Sequence, residues 1–130
     1  KHDAKETLAC LREEHDRGMK AIESDLEQRR MSRKQALKDR LRARREEKLT
    51  QVEADSKSDE EADEMRKKVE AELANEESRE AERIEQDLEE EKLRRVQEAK
   101  DEAERLRRNL REKRVAAARS SLEAAEKAKA

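Results

Sequence analysis

Aromatic residues and proline are absent from this 130-residue chain, and glycine and cysteine occur once each. Without Phe, Tyr or Trp, and with alanine supplying much of the apolar third, the chain lacks the bulk for a globular core. It cannot remove enough apolar surface from water to offset the entropy of compact folding. The scarcity of proline, glycine and serine argues equally against a disordered chain. No run of residues is long and apolar enough to span a bilayer, and no signal-peptide pattern appears. A single cysteine excludes an intrachain disulfide and points towards a reducing compartment. The absence of an initial methionine is what a piece of a longer protein would show.

What remains is charge, which makes up 54% of the residues. The profile of Ala, Glu, Lys, Arg and Leu is that of long helices and coiled coils. The expected fold is all-α, an elongated coiled-coil helix or helices without a globular core. Net charge is only −2, but it falls into blocks. Residues 1–27 carry a net −3, residues 28–50 a net +7, residues 51–92 a net −11 and residues 93–130 a net +5. Blocks of this kind can set register and orientation between helices.

Apolar residues recur in steps of three and four. Ala4, Leu8, Leu11 and His15 start a seam, which Met19, Ile22 and Leu26 continue after a slip. It thins at Arg29–Arg33, returns at Leu37 and Leu41, and closes with Leu49 and Val52. Beyond a lapse over 53–64 it runs through Met65, Val69, Leu73, Ala81, Ile84 and Leu88. After another slip come Val96, Ala99, Ala103, Leu106 and Leu110, then Val115, Ala118, Leu122 and Ala125. Read as heptads, the pattern contains stutters. Ile22–Glu27 echoes Ile84–Glu89 at an offset of 62, which either true repetition or biased composition could produce.

The lapse at 53–64 marks a candidate break. Ser58 and Glu61 have capping-box spacing, with acids between them. Thr50/Glu53 and Ser24/Glu27 share that spacing. The chain thus divides into 1–57, a helix carrying the basic block 28–50, and 58–130, a helix with an acidic first half and a basic end. An unbroken helix of about 195 Å is the favoured arrangement, since neither glycine nor proline sits at the break. The alternative is a hairpin near 53–60, which would lay 28–50 beside about 66–88 and bring the +7 block against the acids.

No catalytic residue or cofactor is expected. The carboxylates are numerous, but catalysis needs a concave, desolvated site. His2, Cys10 and His15 lack metal-ligand spacing; His15 reads as a polar seam residue and Cys10 as a small, partly buried one. The candidate partner-binding patch is basic: Arg29, Arg30, Arg33, Lys34, Lys38, Arg40, Arg42, Arg44 and Arg45. Its fitting partners are an acidic helix or an acidic protein surface such as a microtubule. Nucleic acid is the weaker alternative, because no aromatic residue is available for stacking. Ser32 follows Arg29-Arg30-Met31 and Ser58 precedes Asp59-Glu60-Glu61, so both are candidate phosphosites.

Residues 76–114, dense in alternating Glu and Arg/Lys, resemble the single stable α-helices of caldesmon and some myosin necks. The departure is the stripe of Ile84, Leu88, Val96, Leu106 and Leu110, which a free helix does not need and a partnered one does. Over 8–48, Leu11-Arg-Glu-Glu-His-Asp, Ile22-Glu-Ser-Asp-Leu-Glu-Gln-Arg-Arg and Gln35-Ala-Leu-Lys-Asp-Arg-Leu-Arg-Ala-Arg-Arg resemble repetitive coiled-coil proteins of cilia and the microtubule cytoskeleton. That resemblance implies a structural scaffold in the cytoplasm, on a cytoskeletal or axonemal assembly of a cilium or flagellum. A generic oligomerisation or tether coiled coil of a larger signalling or trafficking protein is the alternative.

Overall fold

The computed structural model describes residues 2–129, with side chains described over 5–129, so the side chains of His2 and Ala4 lie outside the described residues. Two helices account for nearly all of it: α1, His2–Asp55, and α2, Asp59–Lys129. Ala, Glu, Lys, Arg and Leu favour this conformation, and pairs one turn apart reinforce it. Examples are Arg66–Asp63 at 2.9 Å and Arg105–Glu102 at 2.6 Å. Gln35 donates to Asp39, and Gln97 to Asp101, each at 3.0 Å. No described helix is long and apolar enough to cross a membrane.

The chain is therefore broken at 56–58 and does not continue as one helix. The break needs neither glycine nor proline, because among the described residues none adopts a positive φ. Capping chemistry makes it instead. The Glu61 amide donates to Ser58 Oγ at 3.1 Å, and Glu61 reaches back to accept from the Lys57 amide at 3.3 Å. Asp59, Glu60 and Glu61 fill the first turn of α2, where the helix dipole favours negative charge. Thr50 has the same spacing to its glutamate but sits within α1, and its hydroxyl donates back to the Glu46 carbonyl at 2.8 Å. A hydroxyl used this way does not cap a new helix. Ser58→Ala is expected to cost about 0.5–2 kcal/mol, read as a lower Tm by circular dichroism. Ser24→Ala, inside α1, should leave Tm nearly unchanged.

Two compact units form, Glu23–Lys92 and the pair of segments 1–22 and 93–130. In the first, α1 and α2 run antiparallel around the turn. The ion pairs Arg29–Glu91, Arg33–Asp87, Arg44–Glu76 and Lys48–Glu72 have residue numbers that each add to 120. Residues 29–48 thus lie beside 70–91, close to the pairing the charge blocks suggest for a hairpin. The buried apolar residues belong to this unit: Leu26, Leu37, Leu41 and Val52 on α1, and Ala62, Leu73, Ile84 and Leu88 on α2. Leu49, Met65, Val69 and Ala81 are half-buried beside them.

The covered stripe does not follow heptads. On α1 the covered positions Leu26, Leu37 and Lys48, and Arg30, Leu41 and Val52, recur every 11 residues. On α2 the series Ala62, Leu73, Ile84 and Val69, Glu80, Glu91 do the same. An 11-residue spacing gives about 3.67 residues per turn, close to the 3.6 of a straight helix. The slips in a heptad reading are therefore the regular 3-4-4 steps of this longer repeat.

In the second unit the same spacing links Leu8 to Met19, Leu11 to Ile22, and Arg95 to Leu106. None of the described seam residues there is fully buried. Leu8, Leu11, His15, Met19, Ile22, Val96, Ala99, Ala103, Leu106 and Leu110 are half-covered. From 111 to 129 every residue of α2 is exposed, including Val115, Ala118 and Ala125, with Leu122 at 65%. Leu122 thus departs from its expected place in the seam, because α2 continues beyond the last residue that α1 covers.

Candidate interaction surfaces

The basic block of α1 is spent largely on the chain itself. Arg29 pairs with Glu91 at 2.6 Å, Arg33 with Asp87 at 3.1 Å, and Arg45 with Glu70 at 2.6 Å. Arg44 pairs with Glu76, and Lys48 reaches Glu72 at 3.3 Å. Glu85 accepts from two cations, Arg30 at 2.9 Å and Lys34 at 2.8 Å, and Arg30 also holds Glu27 on its own helix. Six of the nine residues of the basic patch are therefore partnered across the hairpin. Lys38, Arg40 and Arg42 have no ion-pair partner among the described residues. The apparent thinning of the seam at 29–33 is where these ionic contacts take over from apolar ones. Covered positions 30, 34, 44 and 48 of α1 are all basic, while 76, 80, 85 and 91 of α2 are all acidic.

Lys34, then Arg30, holds the Glu85 carboxyl below its ordinary value of 4.5. The direction is opposite to that of a general acid, which needs its proton near neutral pH. A carboxyl with a depressed folded-state pKa adds stability above its unfolded pKa. That contribution is lost as pH falls through the folded value. Glu85→Gln is therefore expected to be less stable than the wild type near neutrality. The gap between them should close as pH falls below about 4.5. Parallel thermal melts from pH 7 to pH 3 test this; a gap independent of pH would show that Glu85 acts only by packing.

Ser32 is exposed within α1, and Ser58 is exposed at the start of α2. Cys10 is an exposed free thiol, not the partly covered residue its leucine neighbours suggest. It faces away from the stripe because positions 8 and 11, not 10, point to α2. His15 is half-covered, and no group of three or more His, Cys, Asp or Glu side chains is poised to hold a metal among the described residues.

Seam residues, joined by Gly18 and by arginines outside the candidate basic patch, form a second surface in the unit of 1–22 and 93–130. Two adjoining clefts lie between the helices. One, of about 340 Å³, is lined by Leu11, His15, Gly18, Ala99, Ala103 and Leu106, with Glu14, Glu102 and Arg107 at its rim. The other, of about 400 Å³, is lined by Leu8 and Leu110 and by Arg12, Arg107, Arg111 and Arg114. The i, i+4, i+7 spacing of Arg107, Arg111 and Arg114 was available in the sequence. Only the pairing of the helices adds Arg12 and the two leucines. Compared with protein-family models, curated proteins and solved structures, the chain matches none.

Proposed function

We propose that the chain is a non-catalytic structural element, a helical scaffold that holds or spaces partners within a cytoskeletal, microtubule-associated assembly such as an axoneme. The observation that carries the structural part is the seam of the hairpin. Apolar layers alternate with cross-helix ion pairs, so most of the chain's chemistry goes into holding two helices together. The cytoskeletal setting rests on the resemblance of residues 8–48 and on the basic charge of Lys38, Arg40 and Arg42, which is free to meet an acidic surface.

Sedimentation with microtubules tests the setting. The chain should pellet with them at low salt, and release as salt rises. Lys38→Glu/Arg40→Glu/Arg42→Glu should abolish pelleting while leaving helicity unchanged. These three are better probes than Arg44 and Arg45, whose reversal also breaks hairpin ion pairs. A chain that stays in the supernatant would remove the microtubule reading.

One observation favours the second reading, an oligomerisation or tether segment of a larger signalling or trafficking protein. Six of nine patch residues are consumed internally, which leaves little charge for a filament. A well-defined oligomer in sedimentation equilibrium, indifferent to microtubules, would support it. Nucleic-acid binding through 29–45 loses most of its phosphate contacts for the same reason.

A further inference from the structure

We propose that the cleft formed by Leu8, Arg12, Arg107, Leu110, Arg111 and Arg114 is a docking groove for an acidic, amphipathic helix supplied by a partner protein. This deepens the reading of the chain as an interaction scaffold and does not depend on the microtubule setting.

Charge is the first argument. In the unit Glu23–Lys92 the bases of one helix face acids of the other. Here four arginines converge on one cleft, and none forms an ion pair among the described residues. Arg107 and Arg111 stand four apart and Arg111 and Arg114 three apart on one helix face, a like-charge arrangement that disfavours the helix. Arg12 adds a fourth positive charge from the opposite helix. The chain's own nearby acids do not relieve this: Glu104 is engaged by Arg108 at 3.6 Å, and Glu102 by Arg105. An acidic partner would remove the repulsion and gain charge-assisted hydrogen bonds.

Shape is the second argument. The leucines at the base of the groove are only half-covered, so apolar surface remains for an incoming stripe. The adjoining cleft carries it on through Leu11, Ala103 and Leu106, giving anchors at the helical spacing that helix-in-groove recognition uses. Gly18 lines this cleft, and a Cβ there would meet nothing within 4 Å. Glycine inside a helix is unfavourable relative to alanine. No packing within the chain calls for it at position 18, whereas a third helix approaching closely would. Glu14 and Glu102, which line this adjoining cleft, give the groove a polarity. The acidic end of the partner helix meets the arginines, and its less acidic end lies over Gly18.

The test uses the full chain and a fluorescent designed peptide of about four heptads, with leucine at its seam and glutamate flanking it. Scrambled peptide of the same composition, polyglutamate and duplex RNA are the comparisons, all followed by anisotropy at two salt concentrations. The striped peptide should bind, and Arg111→Glu/Arg114→Glu should weaken it by roughly tenfold or more. Gly18→Leu should weaken it similarly without loss of helicity, because position 18 has room within the chain itself. No binding, or binding that Gly18→Leu leaves unchanged, overturns the groove. Equal binding of the scrambled peptide or polyglutamate reduces it to bulk charge and overturns it too. Tighter binding of RNA would make the arginines a phosphate surface. Self-association that Arg111→Glu/Arg114→Glu abolishes would make a second copy the occupant. Either result replaces the acidic partner helix. Microtubule sedimentation reads Lys38, Arg40 and Arg42 instead, so either proposal can fail without the other.

Discussion

Leu88→Ala is expected to destabilise the hairpin unit by about 2–5 kcal/mol, a fall of at least about 10 °C in Tm for a unit of this size. Leu88 is 3% exposed, so truncation removes apolar contact and leaves a gap that two helices joined at one end cannot readily close. The loss is large against the roughly 5–15 kcal/mol that holds a typical domain together. The matched control is Leu122→Ala. Leu122 is 65% exposed, and its truncation should change stability by no more than about 0.5 kcal/mol. Circular dichroism at 222 nm during heating separates the two. Equal effects would mean that this seam does not carry the fold.

Reversing the charges of Arg33, Arg44 and Arg45 together to glutamate is expected to cost roughly 1–6 kcal/mol. Each of these partly exposed pairs is worth about 0.2–1 kcal/mol, and each reversal replaces attraction with repulsion of similar size. The pairs lost are those with Asp87, Glu76 and Glu70. Adding Asp87→Lys, Glu76→Lys and Glu70→Lys should restore most of the stability. Spin labels at Ala36 and Ser78, with Cys10 replaced by serine, would follow the spacing of the helices through the series. If the sixfold variant stays as unstable as the triple, the cross-helix pairs do not hold the register. High salt should shrink both differences, because exposed pairs are screened.

These magnitudes divide the labour in the hairpin. A buried leucine, worth about 1.5–3 kcal/mol, outweighs any one of the ion pairs, so the apolar layers supply most of the stability. Leucines alone would tolerate sliding by one repeat. The ion pairs do not by themselves exclude such a slip, because Arg33 and Arg44, like Glu76 and Asp87, also stand 11 apart; the turn capped by Ser58 and Glu61 fixes the alignment, and the ion pairs hold the helices in it.

Much of the fold is determined by the sequence alone. Composition dictates helix and excludes a globular core. The apolar steps identify most of the covered apolar residues from Leu8 to Leu110, though not Ala62 or the charged positions between them, and Ser58 with Glu61 identifies the cap that begins α2. These features are local, set by propensity and by neighbours three or four residues away. Whether the helix folds back is not local. The absence of glycine and proline at 56–58 argues for continuity, but pairing the +7 block with the acids and burying the leucines outweighs the cost of one break. The basic block shows the same limit. Along the chain Arg29–Arg45 reads as a surface awaiting a partner; across the hairpin, Glu85, Asp87, Glu76 and Glu70 already fill that role. Conversely, Arg12 lies far in sequence from Arg107, Arg111 and Arg114, and only the antiparallel packing makes them one groove. Charge acts through space, so its meaning is decided by which helix faces which.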